Sequence, residues 1–133
     1  MNFPALLAVG TGAILGAWLR WWLGLRLNPL FPTLPLGTLA ANLIAAYVIG
    51  LAMAAIAGNL AFSPRARLFV TTGFCGGLST FSTFSAETYS LLARGQLGWG
   101  AGEIAIHVTG SLLATALGVL SVQLLRHATG NLP

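Results

Sequence analysis

Charge is what this chain has least of. Its 133 residues carry six basic and two acidic side chains, 6% charged in all, against 56% hydrophobic. Soluble domains devote roughly a quarter of their residues to charge, so the composition excludes that class, and a mean hydropathy of +0.86 agrees. The single cysteine, Cys75, excludes an intramolecular disulfide and reads as a small buried hydrophobe. No Ser-His-Asp set, metal-ligand cluster, P-loop or nicotinamide fingerprint is present, so an enzyme is not expected. The opening MNFPALLAVG has no basic residue ahead of its apolar run, which argues against a cleaved signal peptide. No convincing internal repeat is found either.

What the chain has is long apolar runs. They predict an all-α membrane protein with four spans, at about 4–23, 36–57, 64–93 and 99–125, forming one domain over 1–133. Each reaches the roughly 20 residues needed to cross a ~30 Å hydrocarbon core. The sequence pI near 10.8 is in the range of nucleic-acid-binding proteins. However, Arg26, Arg65, Arg67, Arg94 and Arg126 stand at the ends of apolar runs, where they reach toward lipid headgroups. No basic cluster with interleaved aromatics tracks a phosphate backbone, so no nucleic-acid partner is expected. Trp18, Trp21, Trp22 and Trp99 lie near span ends, as interfacial belts do.

Four spans divide the six arginines three against three. Orientation follows an arginine and lysine excess on one side, and here neither side has one. This balance predicts dual topology, with copies inserted both ways and paired about an axis in the membrane plane. Gly12 with Gly16, and Gly73 with Gly77, form GxxxG pairs that allow close backbone approach within or between subunits.

Polar residues then appear where lipid penalises them. Thr38 and Asn42 share a face of the second span, four residues apart. Taken alone they read as interhelical glue, worth about 0.6 kcal/mol. In the third span, Ser63-Pro64 reads as an N-cap and first helical position. The Gly76-Gly77 pair is the expected break, leaving a first half too short to cross. Broken helices are tolerated at membrane depth where the freed backbone meets protein, water or an ion. From Ser79 to Ser90, eight of twelve residues are Ser, Thr or Glu, and Phe81 and Phe84 stand among them. Glu87 in that run should face a cavity or a partner. The fourth span carries Glu103, His107, Ser111 and Thr115 at four-residue spacing, read as a hydrated groove wall. Glu103 and His107 are two candidate metal ligands without a third. Arg20 lies near the inner end of the first span, placed to pair with a glutamate or attract anions.

Polar linings along spans point to permeation. A cation path would show acidic rings; Asn42, the hydroxyls, Arg20 and the positive edges of Phe81 and Phe84 suit an anion instead. The segments GAWLRW (16–21), PLGTLAAN (35–42) and GFCGGLSTFSTFSAE (73–87) resemble the Fluc (CrcB) family of fluoride channels along essentially the whole chain. The resemblance implies an antiparallel homodimer in the prokaryotic inner membrane, with two passive fluoride pores built from both subunits. It implies a central sodium ion on the backbone carbonyls of Gly76 and Ser79. It puts Asn42, Phe81 and Phe84 in the pore, Thr80 and Ser82 beside the route, and Arg20 in a vestibule. Thr38 and Ser111 are added to the expected lining from the stripes, and Glu87, Glu103 and His107 as modulators.

Glu103 and His107 depart from the mainly hydroxyl residues that the family carries on the fourth-span stripe. An anionic Glu103 should repel fluoride unless it is protonated, paired with His107 or Arg20, or turned away. The pair is therefore expected to shape pH dependence near neutrality, since free histidine titrates near about 6.5, or else to line a wet vestibule with little effect. Two other classes compete. One is a small dual-topology multidrug exporter, which would want a first-span carboxylate where this chain has Arg20. The other is a non-conducting assembly subunit whose stripes are all glue.

Overall fold

The computed structural model describes residues 1–130, and every described element is helical. Helix α1 (Phe3–Leu27) begins at Asn2, whose side chain accepts from the Ala5 N–H at 3.0 Å. A 3₁₀ turn (Asn28–Leu30) leads to α2 (Leu36–Ala57). Pro35 precedes α2 and offers no side-chain cap. Asn28 does the work from a distance, accepting from the N–H groups of Gly37 (2.7 Å) and Thr38 (3.2 Å) with one oxygen. That closes two of the orphan donors every helix start exposes.

Helix α3 (64–78) opens as expected, with Ser63 Oγ accepting from the Ala66 N–H at 3.1 Å ahead of Pro64. Its middle, Leu68–Cys75, is wound as π turns, a wider winding often found near functional sites. Helix α4 (Phe81–Ala93) follows after two residues, and α5 (Leu97–Ala128) completes the chain. The left-handed turn between α4 and α5 falls on Gly95 (φ +77°), where a side chain would be strained.

Helices α1, α2 and α5 are each long and apolar enough to cross a membrane. Beside buried Leu78 and Leu91, small residues take much of the interior. Glycine, alanine and threonine (Gly12, Gly16, Thr38, Ala41, Ala45, Ala52) occupy the interior, while Leu112, Leu113, Leu117 and the four tryptophans face outward. Lipid is as apolar as leucine, so helices associate through small residues that let backbones touch. The two GxxxG pairs meet each other inside one subunit. A methyl group on Gly12 would press on the Phe74 amide (2.8 Å), and one on Gly73 on the Val9 carbonyl (2.7 Å). Gly50 and Gly118 make the matching close approach between α2 and α5.

Candidate functional site

The break between α3 and α4 falls at Ser79-Thr80, not at the Gly76-Gly77 pair expected from sequence. The helix runs through both glycines to Leu78, and the chain then extends (Ser79 ψ 149°, Thr80 φ −148°). The physical reason is division of labour. Gly77 gives closeness to α1, where any methyl group would meet the Ala13 backbone. Thr80 supplies the stop and restart, because its hydroxyl accepts from the Thr83 N–H at 3.2 Å and caps α4. Asn42 completes the break from α2. Its Oδ1 accepts the Thr80 N–H at 2.7 Å and its Nδ2 donates to the Thr80 carbonyl at 3.3 Å. In a continuous helix that N–H would have reached the Gly76 carbonyl.

Around this point lies a cavity of about 600 Å³, lined by Asn42, Ser79, Thr80, Phe81, Phe84, His107, Ser111 and Thr115, among others. Phe81 and Phe84 contact each other at 5.4 Å between centroids, tilted by 54°. They differ sharply in setting. Phe84 is buried and its ring lies 4.7 Å from that of His107, whereas Phe81 is 79% exposed. His107 Nδ1 stands 3.2 Å from Asn42 Nδ2, joining α5 to the same network.

Behind His107 the polar chain continues. Thr88 Oγ1 donates to Glu103 Oε2 at 3.2 Å, and Thr38 Oγ1 donates to Glu87 Oε1 at 2.6 Å. Glu103 is fully buried, at 0% exposure, and His107 is 5% exposed. Both turn inward, Glu103 toward Thr88 on α4 and His107 toward Asn42 on α2, with His107 also on the wall of the first cavity. Glu87 opens onto a second cavity of about 330 Å³ with Thr33, Ser90 and Arg94. The third ligand-type residue missing from the sequence reading is Glu87, whose carboxylate comes within 4.8 Å of both Glu103 and His107.

Residues 7–119 match the family described as CrcB-like protein, Camphor Resistance (CrcB). The chain belongs to the CrcB family. Among its relatives, a protein of Nitrosospira multiformis is 60% identical over 123 residues, covering 92% of this chain and 96% of its own. One from Pseudomonas syringae pv. maculicola is 56% identical over 121 residues (91% and 95%), and one from Chromobacterium violaceum 58% over 124 (93% and 98%). All three bear the name fluoride-specific ion channel FluC.

In this CrcB-family chain, the structure gathers Asn42, Thr80, Phe81, Phe84, His107 and Ser111 around one cavity. Thr38, Glu87 and Glu103 form the layer behind it. Ser82 reaches the group only through the Thr80 hydroxyl, at 3.3 Å. Arg20 takes no glutamate; its Nε donates to the Gly77 carbonyl at 3.1 Å, beside the break. Gly76 and Ser79 line the cavity wall. Two participants were missed. Thr88 was one hydroxyl in a crowded run, and only its position one residue after Glu87 and facing α5 sets it apart. Asn28 sits in a Pro-rich loop with no sequence mark linking it to the start of α2.

Proposed function

We propose that this chain is a passive, fluoride-selective channel of the prokaryotic inner membrane that lets the cell expel fluoride down its gradient. The observation that carries the reading is the convergence of Asn42, the Thr80 backbone and the Phe81–Phe84 pair on one cavity at the helix break. The relatives' shared name supports the choice of ion. Fluoride is small and strongly hydrated, and stripping its water is costly for any compact ion. Replacement donors must stand close together and carry no full charge that would trap the ion, since conduction requires binding weak enough to release. Neutral hydroxyl and aromatic-edge groups meet both conditions, and Asn42, its two amide hydrogens engaged by Thr80 and His107, holds the break that presents them. A larger chloride ion would gain less from such spacing.

The working unit on this reading is an antiparallel homodimer with two pores. The outward-facing Phe81 and the open cavity beside it leave room for a second, inverted copy to complete the wall. Sodium is the expected structural ion at its centre, and the residues present fit one. The Gly76 carbonyl loses its helical N–H partner to Asn42, Ser79 is extended, and open space lies beside Gly76. Carbonyls freed at a broken helix are suitable sodium ligands. When bound there, the ion would add positive potential and join the subunits.

Purified protein in liposomes tests the reading, with fluoride and chloride efflux followed separately. Fluoride efflux without chloride efflux supports it. Proton-coupled uptake of organic cations would favour an exporter, and absence of any flux an assembly subunit.

A further inference from the structure

On two helices, three neighbouring residues each keep a buried side-chain atom without a hydrogen-bond partner: Glu87 Oε2, Glu103 Oε1 and His107 Nε2. Ligand-type atoms of the three residues all lie within 4.8 Å of one another. Their neighbours determine where the hydrogens are. Thr38 and Thr88 donate to the other oxygen of each carboxyl group. Asn42 cannot turn its amide over, because its Oδ1 already accepts the Thr80 N–H. Its Nδ2 therefore donates to His107 Nδ1. The ring keeps a lone pair on Nδ1, and a neutral imidazole must then carry its hydrogen on Nε2. That hydrogen is buried without a partner, on a ring that has a nitrogen within 4.8 Å of both carboxyl groups.

This tautomer disfavours a metal ion at the trio, since ligation through Nε2 needs the lone pair that the proton occupies. It also disfavours imidazolium, which would set an N–H on Nδ1 against the Asn42 amide hydrogens. One N–H donor remains for two unpartnered carboxyl oxygens. Two like charges this close in a site of low polarity do not both persist. One more hydrogen closes the network.

We propose that Glu87 and Glu103 form a proton-binding site, holding a single proton between them at neutral pH, with His107 as a permanently neutral Nε2–H donor to the pair. Glu87 borders the second cavity, so water supplies the proton from that side. The charged groups around the pair are few. Arg94 shares the cavity with Glu87, its Nε donating to the Ser90 carbonyl, and Arg20 is engaged with Gly77. From α2 only Thr38 and Asn42 reach the cluster, and neither titrates.

Infrared difference spectroscopy on the purified full chain tests this without any flux measurement, so it stands or falls apart from the channel reading. The expected result is a protonated-carboxyl C=O band in the wild type at neutral pH, sensitive to heavy water. It should vanish in both Glu87→Gln and Glu103→Gln, where the new amide supplies the hydrogen and the remaining carboxyl ionises. Nitrogen NMR of labelled histidine should show His107 neutral, with its proton on Nε2. Absence of the wild-type band at neutral pH, a band that survives in both variants, or a doubly protonated His107 would overturn the proposal. So would one zinc ion bound per subunit in equilibrium dialysis and lost in His107→Gln. The wild-type band decides the matter even where a variant is unstable.

Discussion

Asn42 holds both polar groups of Thr80's backbone, accepting its N–H at 2.7 Å and donating to its carbonyl at 3.3 Å. One side chain on α2 thus satisfies the backbone where α3 stops and α4 starts. Its remaining amide hydrogen reaches His107 on α5.

Replacing Asn42 with leucine is expected to abolish fluoride efflux and to destabilise the protein. Each buried backbone group left unpartnered costs about 1–3 kcal/mol. Asn42→Asp keeps the acceptor for the Thr80 N–H and loses both donor bonds, so its stability should fall between the two. Thermal unfolding in detergent, run beside liposome efflux, checks the order.

The two phenylalanines should separate stability from conduction. Phe84→Ala removes a buried ring and is expected to cost about 3–5 kcal/mol. Phe81→Ala, at an exposed position, should leave a single subunit's stability nearly unchanged. Phe81→Ile and Phe84→Ile should both lower fluoride efflux while the protein still assembles. Normal rates in both isoleucine variants would count against a role in the pore.

Glycines offer an internal control within one helix. A methyl group on Gly16 would collide with the Phe74 carbonyl and lie 2.7 Å from the Leu78 amide, on rigid backbone. Gly16→Ala should therefore sharply reduce the yield of folded protein. Gly10, one helix face away, has nothing within 4 Å of the added carbon. Gly10→Ala should be neutral or slightly stabilising, since alanine is the better helix former. Size-exclusion profiles of the two variants make the comparison.

A shared carboxyl proton gives the pH dependence a definite sign. The Glu87–Glu103 pair carries one negative charge while the proton is bound and two after it leaves. Rising pH therefore adds negative charge beside the proposed anion path, and fluoride efflux should fall as pH rises across the neutral range. Glu103→Gln has no second charge to acquire and should give a flatter profile. Histidine protonation would give the same direction, so the discriminating variant is His107→Gln. It should keep the slope if the carboxyl pair is responsible and lose it if the imidazole is.

Much of the site was legible residue by residue. Of the seven residues expected to line a pore, Asn42, Thr80, Phe81, Phe84 and Ser111 share one cavity, whereas Thr38 and Ser82 do not line it. Motif spacing could mark them because each is polar or aromatic in an otherwise apolar span. The break was misplaced by two or three residues, because glycine in a membrane helix marks close packing as often as a kink. Only the position of Asn42 relative to Thr80 shows which function Gly77 serves. Helical spacing gives a stripe but not its direction, and only the packed helices show Glu103 fully buried while His107 reaches the cavity wall.

From the sequence alone follow the membrane class, the approximate helix bounds, the polar third segment and membership of a family. All of these depend on composition or on contacts a few residues apart. Tertiary structure alone decided that the two GxxxG pairs meet each other, that Asn28 caps α2, and that Glu87 joins Glu103 and His107. It also supplied the hydrogen count that places one proton there. Those facts join residues 9 to 65 positions apart, and their geometry depends on how the helices rotate against each other, which no local pattern encodes.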